Sequence, residues 1–348
     1  MGKQGISKRC GSGRSLFCQG MTAAGIFLGL LLLVYLAGFC MDKAFPKVQE
    51  SQGSLTERFP PQAVFLSEGR EYPYYRNYFT TLLLIGVDRT EMASAERYRS
   101  GGQADFLLLL AMDRHNRRVT PIHIDRDTVT DVKVFSPFGY PAGTQKMQIC
   151  LAYSFGKDSA ENCRNTVWAV ENLLGGVRVD EYLAVDMEGI ALINDELGGV
   201  TVTLREDFSH LDPAMQKGVS LTLQGKQAEY FVRGRHEIGD NSNRQRMERQ
   251  REFLNGLADK LGEKLESAPT FAGTLYERLS GHMETGVDQA WLSNQSYVIT
   301  HYERAEICDL PGAHSLGADG YMEFHPDGDG LTEMLIGIFA DGESEGNE

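Results

Sequence analysis

Acidic and basic side chains collect where three apolar stretches of the sequence begin or end. Asp88 closes the first stretch, Asp105 opens the second, and Arg126 with Asp127 closes the third. An antiparallel hairpin brings the end of one strand beside the start of the next, and open α/β sheets carry their sites at strand ends. We therefore expect these four residues to converge at one edge of a sheet.

Asp88 and Asp105 are the candidate ligands of a divalent cation. Mg²⁺, or Mn²⁺ in its place, binds one or two carboxylates, keeps several waters and accepts phosphate oxygens. The alternative interpretation is that each aspartate caps a turn, because Asp is common after strands.

A second polar group lies later in the chain. Arg233 and Arg235 flank a glycine. Arg246, Arg249 and Gln250 are spaced by three or four residues, which places them on neighbouring positions of a helix. The guanidinium fork matches phosphate oxygens, so this cluster in a chain of net charge −14 indicates an anion site. The alternative is a solvated face whose arginines pair with nearby glutamates, at about 0–1 kcal/mol per pair.

Together the two groups predict a site with Mg²⁺ on one side and arginines on the other. A pyrophosphate or phosphodiester fits between them, and the reaction class is phosphoryl transfer, which depends on positioning and charge stabilisation. The acidic balance of the chain argues against nucleic acid as a partner, because neutralising a phosphate backbone requires a basic surface.

The elements that position these residues follow from the hydrophobic pattern. Continuous apolar runs predict strands buried on both faces, at residues 78–88, 104–113 and 117–125. Helical spacing predicts helices at 159–174, 187–197 and 243–265, and shorter strands are predicted at 181–186 and 200–204. This mixture of hairpins and βαβ units predicts an α/β fold with a mixed central β-sheet flanked by helices.

The N-terminal part differs from the rest. A basic head without acidic residues, 1–20, precedes an uncharged apolar stretch, 21–41, whose length as a helix matches the hydrocarbon core of a bilayer. A cleaved signal peptide would have a shorter apolar core and a clean cleavage site after it. Since basic residues stay cytoplasmic, we predict an uncleaved single-pass transmembrane helix in the cell membrane, with the N-terminus inside and the long remainder outside.

The remainder divides into three parts. Residues 42–76 have little periodicity and are interpreted as an extracellular stalk, 77–339 as the folded domain, and 340–348 as an acidic disordered tail. The folded part holds three cysteines, Cys150, Cys163 and Cys308. Two interpretations stay open for these three cysteines: a Cys150–Cys163 disulfide that leaves Cys308 free, or three buried free thiols.

Seven segments of the chain resemble, in order, the LytR-CpsA-Psr family. They are LLLIGVD, ADFLLLLAMD, IHIDRDT, ICLAYSFG, YLAVDMEGIALINDELGGVTV, LQGKQAEYFVRGR and RMERQREFL. The specific part is the combination of the R-D-T strand end, the D-x-L-G-G-V turn, the R-x-R pair and the R-Q helix. The resemblance implies the fold of that family and a membrane-anchored phosphotransferase whose catalytic domain lies outside the cell.

The resemblance also implies substrates. The donor would be a glycopolymer, such as wall teichoic acid or capsule, linked to polyprenyl pyrophosphate, and the acceptor a sugar hydroxyl of peptidoglycan. The hydroxyl would attack the sugar-proximal phosphorus and prenyl phosphate would leave, with Asp127, or secondly Asp88, as a candidate general base.

The family's site residues carry over to positions of this chain. The resemblance assigns Mg²⁺ coordination to Asp88 and Asp105, and pyrophosphate contacts to Arg126, Arg233, Arg235 and Gln250, with Arg246 or Arg249 adjacent. It implies an apolar tunnel for the prenyl chain, which helices 159–174 and 187–197 could line through Trp168, Val170, Leu173, Ile190 and Leu192. Plain core packing has the same sequence pattern.

Three positions depart from the family's pattern. Gln103 stands where the family usually has an arginine, two residues before the second metal-binding aspartate, and Asn243 stands where it often has an aspartate. Lys146-Met147-Gln148 replaces a K-I-N motif. Two alternatives therefore stay open: a polyprenyl-pyrophosphate hydrolase with water as acceptor, and a non-catalytic envelope scaffold or sensor that binds the lipid.

Overall fold

The structure is a computed structural model and describes residues 63–88, 102–136, 138–234, 238–240 and 243–340. The predicted basic head, the predicted anchor at 21–41, the stalk up to residue 62 and residues 341–348 lie outside the described residues. Within the described ranges, no helix combines the length and the apolar composition that a membrane crossing requires.

A mixed sheet of seven strands forms the centre of the described part of the chain. Its strands are β3 (Phe79–Val87), β4 (Ala104–Asp113), β5 (Arg118–Ile124), β8 (Glu181–Val185), β11 (Met283–Thr285), β12 (Glu303–Arg304) and β13 (Cys308–Asp309). The order is β11-β8-β3-β4-β5-β12, and β13 also pairs with β5. β3, β4 and β5 are antiparallel neighbours, whereas β8 runs parallel to β3. The three predicted buried strands are therefore confirmed as the middle of a mixed sheet.

Hairpins and helices surround this sheet. The strand pairs outside it are β1 (Ala63–Ser67) with β2 (Arg70–Tyr74), β6 (Val129–Phe135) with β7 (Pro141–Gln148), β9 (Thr201–Thr203) with β10 (Ser220–Thr222), and β14 (Gly312–Leu316) with β15 (Met322–Pro326). The helices are α1 (Ser159–Leu173), α2 (Met187–Glu196), α3 (Lys226–Arg233), α4 (Asn243–Ser267), α5 (Phe271–Leu279), α6 (Gln289–His301) and α7 (Gly328–Phe339).

The two faces of the sheet bury different sets of residues. Successive side chains of a strand point to opposite faces, so Leu83 and Leu107 enter one core together with Val170 of α1. Leu84 and Phe106 point the other way and line an apolar cavity beneath α2, α3 and α4. The sheet is thus covered on both faces, which explains the continuous apolar runs in its central strands.

Local signals fix where helices begin and end. Asp158, Asp186 and Asp288 precede α1, α2 and α6, and each carboxylate accepts the backbone N–H three residues later at 2.7–2.8 Å. This contact satisfies a helix donor that would otherwise lack a partner. Gly198 and Gly199 follow α2 with φ of 84° and 85°, a backbone conformation that other residues rarely adopt. The predicted end of this helix at residue 197 is confirmed to within one residue.

The folded domain begins earlier than predicted, because residues 63–76 do not belong to a stalk. β1 and β2 form a hairpin whose Phe65 and Tyr74 are buried. The Tyr74 ring lies 5.5 Å from that of Phe339 and 6.0 Å from that of Phe79. Ala340, which the sequence prediction assigned to the tail, bridges to Tyr74 and belongs to the folded part. Such short strands gain their stability from contacts with the distant α7, and sequence periodicity does not report those contacts.

The cysteines of the described residues are all free. Cys150 and Cys163 are buried and Cys308 is half-buried. The Cys150–Cys163 disulfide is therefore wrong, and the free-thiol alternative holds for all three, although only two of them are buried.

The packing of the N-terminal hairpin on α7 can be tested with Phe339→Ala. Phe339 is 1% exposed and contacts aromatic rings of both β2 and β3. Removing it leaves a cavity, and we expect the free energy of unfolding to fall by about 3–5 kcal/mol in denaturant titrations. Phe138, 85% exposed, is the matched control, and Phe138→Ala should change stability by no more than about 0.5 kcal/mol. Equal effects of the two variants would contradict this packing.

Candidate active site

The three strand ends meet as the sequence predicts. The Asp88 N–H donates to the Gln103 carbonyl at 3.0 Å, which fixes the end of β3 beside the start of β4. Arg126, two residues after β5, contacts the Asp105 carboxylate through Nη1, and its Nε lies 3.3 Å from Asp127. Asp88, Asp105, Arg126 and Asp127 therefore lie at one edge of the sheet.

Two arginines from the helices complete this group. Arg233, the last residue of α3, places Nη2 2.7 Å from Asp88. Arg246, on the first turn of α4, is 2% exposed and places Nη1 3.5 Å from Asp105. Cationic and anionic side chains thus alternate across the site. Buried charges are tolerated in this way because each one has an opposite partner.

Two cavities open onto these residues. The first is apolar, has a volume of about 160 Å³, and lies between the sheet and helices α2 and α4. The second is wider, about 930 Å³, with a mixed polar and apolar wall. Asp105, Arg233 and Arg246 line both cavities. The arrangement suits an amphiphilic ligand, with an apolar chain on one side of a charged group and a polar portion on the other.

Arg126 is held from several directions. Its Nη2 donates to the Gln103 side-chain oxygen and lies 3.4 Å from the Cys150 sulfur. Burial by itself lowers the pKa of Arg126, but Cys150, Asp105 and Asp127 raise it on balance. Burial raises the pKa of Cys150 to about 11, so the thiol is uncharged at neutral pH. Gln103 lines the wide cavity and accepts a hydrogen bond from Arg126. An arginine at this position would place a second cation beside Arg126.

The buried carboxylate of Asp125 links the site to the C-terminal hairpin. Its Oδ1 accepts from the Asp127 N–H at 2.8 Å and from the Asn243 side chain at 2.7 Å. Its Oδ2 lies 2.7 Å from His314 Nε2. Asn243 in turn accepts from Arg246. Neither Asp125 nor His314 was predicted from the sequence to belong to the site. The position of Asp125 at a strand end could have indicated it, whereas no sequence feature indicates His314.

The structure contradicts the assignment of Arg249 to the anion site. Arg249 Nε donates to the Phe231 carbonyl at 2.9 Å, and its Nη2 donates to the Gly234 carbonyl. It lies outside both cavities and is buried, which lowers its pKa. Arg249 therefore fixes the C-terminal end of α3. The interpretation of a solvated arginine face is wrong for Arg246 and Arg249, which are buried, but the half-exposed Arg233 does pair with Glu229 at 3.3 Å.

Two other predicted contacts have different outcomes. Gln250 lines the apolar cavity, and its amide donates to the Val232 carbonyl at 3.2 Å. Gln250 does not line the wide cavity, and its pyrophosphate contact stays a prediction. Arg235 lies outside the described residues.

The apolar cavity lies on the opposite face of the sheet from α1, so the predicted lining is wrong in part. Ile190 of α2 lines it as expected. Trp168, Val170 and Leu173 pack instead in the core beneath α1, and Leu192 packs against α5. The lining that sequence reasoning missed comes from α4, through Phe253, Leu254 and Leu257.

The wall of the wide cavity includes residues that the sequence did not indicate. Leu211, Glu229 and Tyr230 lie on one part of it. Asp319, Gly320, Tyr321 and Met322, at the tip of the β14–β15 hairpin, form another part. These segments have no hydrophobic periodicity or motif that indicates a site, so they could not be predicted from the sequence.

The residues present fit a Mg²⁺ ion with few protein ligands. Asp88 and Asp105 are hard carboxylate donors, and both line the wide cavity. Among the described residues, no group of three or more His, Cys, Asp or Glu side chains could hold a metal. Waters and phosphate oxygens would therefore complete the coordination, as Mg²⁺ commonly allows. Arg233, which is half-exposed, lies 2.7 Å from Asp88, and Arg126 contacts Asp105.

Comparisons with known proteins identify the family of the chain. Residues 56–335 match the LytR_cpsA_psr family. The chain is 29% identical over 248 residues to the polyisoprenyl-teichoic acid–peptidoglycan teichoic acid transferase TagU of Bacillus licheniformis, covering 69% of this chain and 72% of that protein. It is 26% identical over 326 residues to the corresponding transferase TagV of Bacillus subtilis, covering 88% and 74%.

Solved structures show the same fold. The crystal structure of B. subtilis TagV matches with a TM-score of 0.58 and 24% identity, over 75% of this chain and 95% of that one. A structure of TagT bound to LI-WTA matches with a TM-score of 0.58 and 20% identity, over 78% and 94%.

The different roles of the two buried helix arginines can be tested with Arg246→Lys and Arg249→Lys. Lysine cannot make the paired contacts of Arg249 to two carbonyls, so Arg249→Lys should lower the unfolding free energy by about 1.5–3 kcal/mol. Arg246→Lys should weaken binding of inorganic pyrophosphate about tenfold or more by isothermal titration calorimetry, because a fork that matches phosphate is lost. Arg249→Lys, the matched control, should retain that affinity. Weaker binding by both variants alike would contradict the assignment.

Proposed function

Because the chain belongs to the LytR-CpsA-Psr family, we propose that it is a phosphotransferase that attaches a teichoic-acid-type glycopolymer to peptidoglycan. The donor is the glycopolymer on a polyprenyl-pyrophosphate carrier, and the acceptor is a sugar hydroxyl of the wall. The relatives TagU and TagV are named as transferases of this kind.

The observation that carries the proposal is the junction of the two cavities. Asp105, Arg233 and Arg246 stand where the apolar cavity meets the wide one. A polyprenyl-pyrophosphate-linked glycan has the same three parts in the same order: an apolar chain, a doubly charged group and a polar polymer. The two cavities and the charged residues between them thus correspond to all three parts of the donor, and this correspondence does not depend on a single residue.

The arginines bind and orient the pyrophosphate. Arg233 is half-exposed at the rim and can turn from Asp88 to a phosphate oxygen. Arg126 and Arg246 are buried and already held by their neighbours, so they bind the anion with little loss of side-chain entropy. The site thus fixes the phosphorus before the acceptor arrives.

The acceptor hydroxyl attacks the sugar-proximal phosphorus. A new O–P bond forms, the bridging P–O bond breaks, and the electron pair leaves with prenyl phosphate. Asp127 lines the wide cavity and receives the hydroxyl proton. Arg126 Nε lies 3.3 Å from this carboxylate, and charge stabilisation by the arginines supplies most of the rate.

Asp88 and Asp105 would hold Mg²⁺, or Mn²⁺, in this reaction. The ion supplies positive charge that offsets the charge of the pyrophosphate.

The apolar stretch 21–41 supports a location at the cell membrane. A single-pass anchor with a cytoplasmic N-terminus puts the catalytic domain outside, where both peptidoglycan and the exported lipid carrier are found.

The proposal is tested by Asp105→Asn in the purified protein with a synthetic polyprenyl-pyrophosphate-linked donor and a peptidoglycan acceptor. Asn keeps the shape but removes the charge that Arg126, Arg246 and the cation share, so we expect kcat to fall by about 10²–10³-fold. Chelation of divalent ions should stop the wild-type reaction, and added Mg²⁺ should restore it. Asp113→Asn, in the turn at the other end of β4, is the matched control and should transfer at the wild-type rate.

Product analysis separates the alternatives. A free glycopolymer phosphate that forms equally with and without acceptor would make the protein a hydrolase. Donor binding that resists chelation and gives no product would make it a scaffold or sensor.

A further inference from the structure

We propose that the tip of the β14–β15 hairpin is the acceptor subsite, where the Tyr321 ring packs against a pyranose ring of the peptidoglycan glycan and Asp319 accepts from its hydroxyl groups. This inference rests on the proposed function, because it names the binding place of one substrate of the same reaction.

The first support is the location of the tip. Asp319, Gly320, Tyr321 and Met322 line the wide cavity together with the charged residues of the site. Tyr321 is 66% exposed although it lies on a cavity wall. An exposed ring on the wall of a cavity offers its face to a ligand, and the described residues provide no side chain that covers it.

The second support is that the tip is held in place. His314, near the start of the hairpin, lies 2.7 Å from the buried Asp125 carboxylate. The Phe324 N–H donates to the Asp127 carbonyl at 2.8 Å, and the Gln148 side chain donates to the Met322 carbonyl at 2.6 Å. Three contacts to the site edge therefore fix the hairpin. A wall that is positioned before binding loses little entropy when a ligand arrives.

The turn itself presents the ring and the carboxylate together. The Gly317 N–H donates to the Tyr321 carbonyl at 2.8 Å, and the Tyr321 N–H donates to the Asp319 carboxylate at 3.1 Å. Gly320 has a φ of 83°, which lets the chain reverse between them. An apolar ring face beside a carboxylate suits a sugar, whose C–H groups form an apolar face and whose rim carries hydroxyl donors.

The third support decides between acceptor and donor. The donor's pyrophosphate belongs at Asp105, Arg233 and Arg246, where the apolar cavity begins. The attacking hydroxyl must approach Asp127, and the hairpin is bonded to the backbone of that residue. The wide cavity holds part of both substrates, and the tip is assigned to the acceptor because its hairpin is bonded to the backbone of Asp127, which receives the proton of the attacking hydroxyl.

Tyr321→Ala tests the subsite in the full-length protein. We expect the KM for a soluble peptidoglycan glycan fragment to rise about tenfold, because one aromatic contact is lost, while the KM for the lipid-linked donor stays unchanged. Tyr321→Phe keeps the ring and should behave as wild type. Tyr140→Ala is the matched control, because Tyr140 is 71% exposed at the tip of the β6–β7 hairpin and lies outside the wide cavity.

Binding of the same fragment without donor is followed by saturation-transfer NMR, so the subsite has a readout besides turnover. Loss of the NMR signal in Tyr321→Ala supports the subsite even if the wild type transfers nothing, in which case only the proposed function fails. Normal transfer and unchanged acceptor KM in Tyr321→Ala, or a rise in donor KM instead, overturn the subsite and leave the proposed function standing. A wild type that neither binds the fragment nor transfers overturns both.

Discussion

The pairing of Asp105 with two arginines is the interaction on which the site depends. Asp105 begins β4, Arg126 follows β5, and Arg246 lies in α4, so one carboxylate joins three separate segments of the chain. These side chains are largely withdrawn from water, and a buried charge without a partner is strongly destabilising. The fold must therefore bring the three together, and in doing so it assembles two cations at one point. In the function proposed above, the same two cations bind the pyrophosphate.

The departures from the family's pattern have a physical account around this pairing. Gln103 accepts a hydrogen bond from Arg126, so the side chain that replaces an expected arginine keeps the remaining one oriented. Asn243 carries no charge, but it joins the Asp125 carboxylate to Arg246. The negative charge expected at position 243 is thus supplied from position 125, on the neighbouring strand end. Gln103 and Asn243 therefore change the hydrogen-bond partners of Arg126 and Arg246, but both arginines still contact Asp105.

The two faces of the central sheet have different roles: one is packed with side chains and the other borders a cavity. The face beneath α1 and α7 is filled with side chains such as Leu83 and Phe339. The opposite face keeps a cavity open beneath α2 and α4, next to the charged residues. Arg249 stabilises the end of α3 through two backbone carbonyls and lies outside both cavities. A stable solid core on one side permits an open cavity on the other.

The amino-acid sequence alone was enough to predict the central strands, the three long helices and the meeting of Asp88, Asp105, Arg126 and Asp127. These features follow from hydrophobic periodicity and from the geometry of adjacent antiparallel strands, which are local properties. Only the tertiary structure decided that Arg246 and not Arg249 enters the site, because the rotation of α4 about its axis depends on packing. It also decided which sheet face holds the cavity, that residues 63–74 join the core, and that His314 reaches Asp125 across 189 positions of the chain. Such contacts join segments far apart in sequence, and their energies depend on three-dimensional packing that no local pattern records.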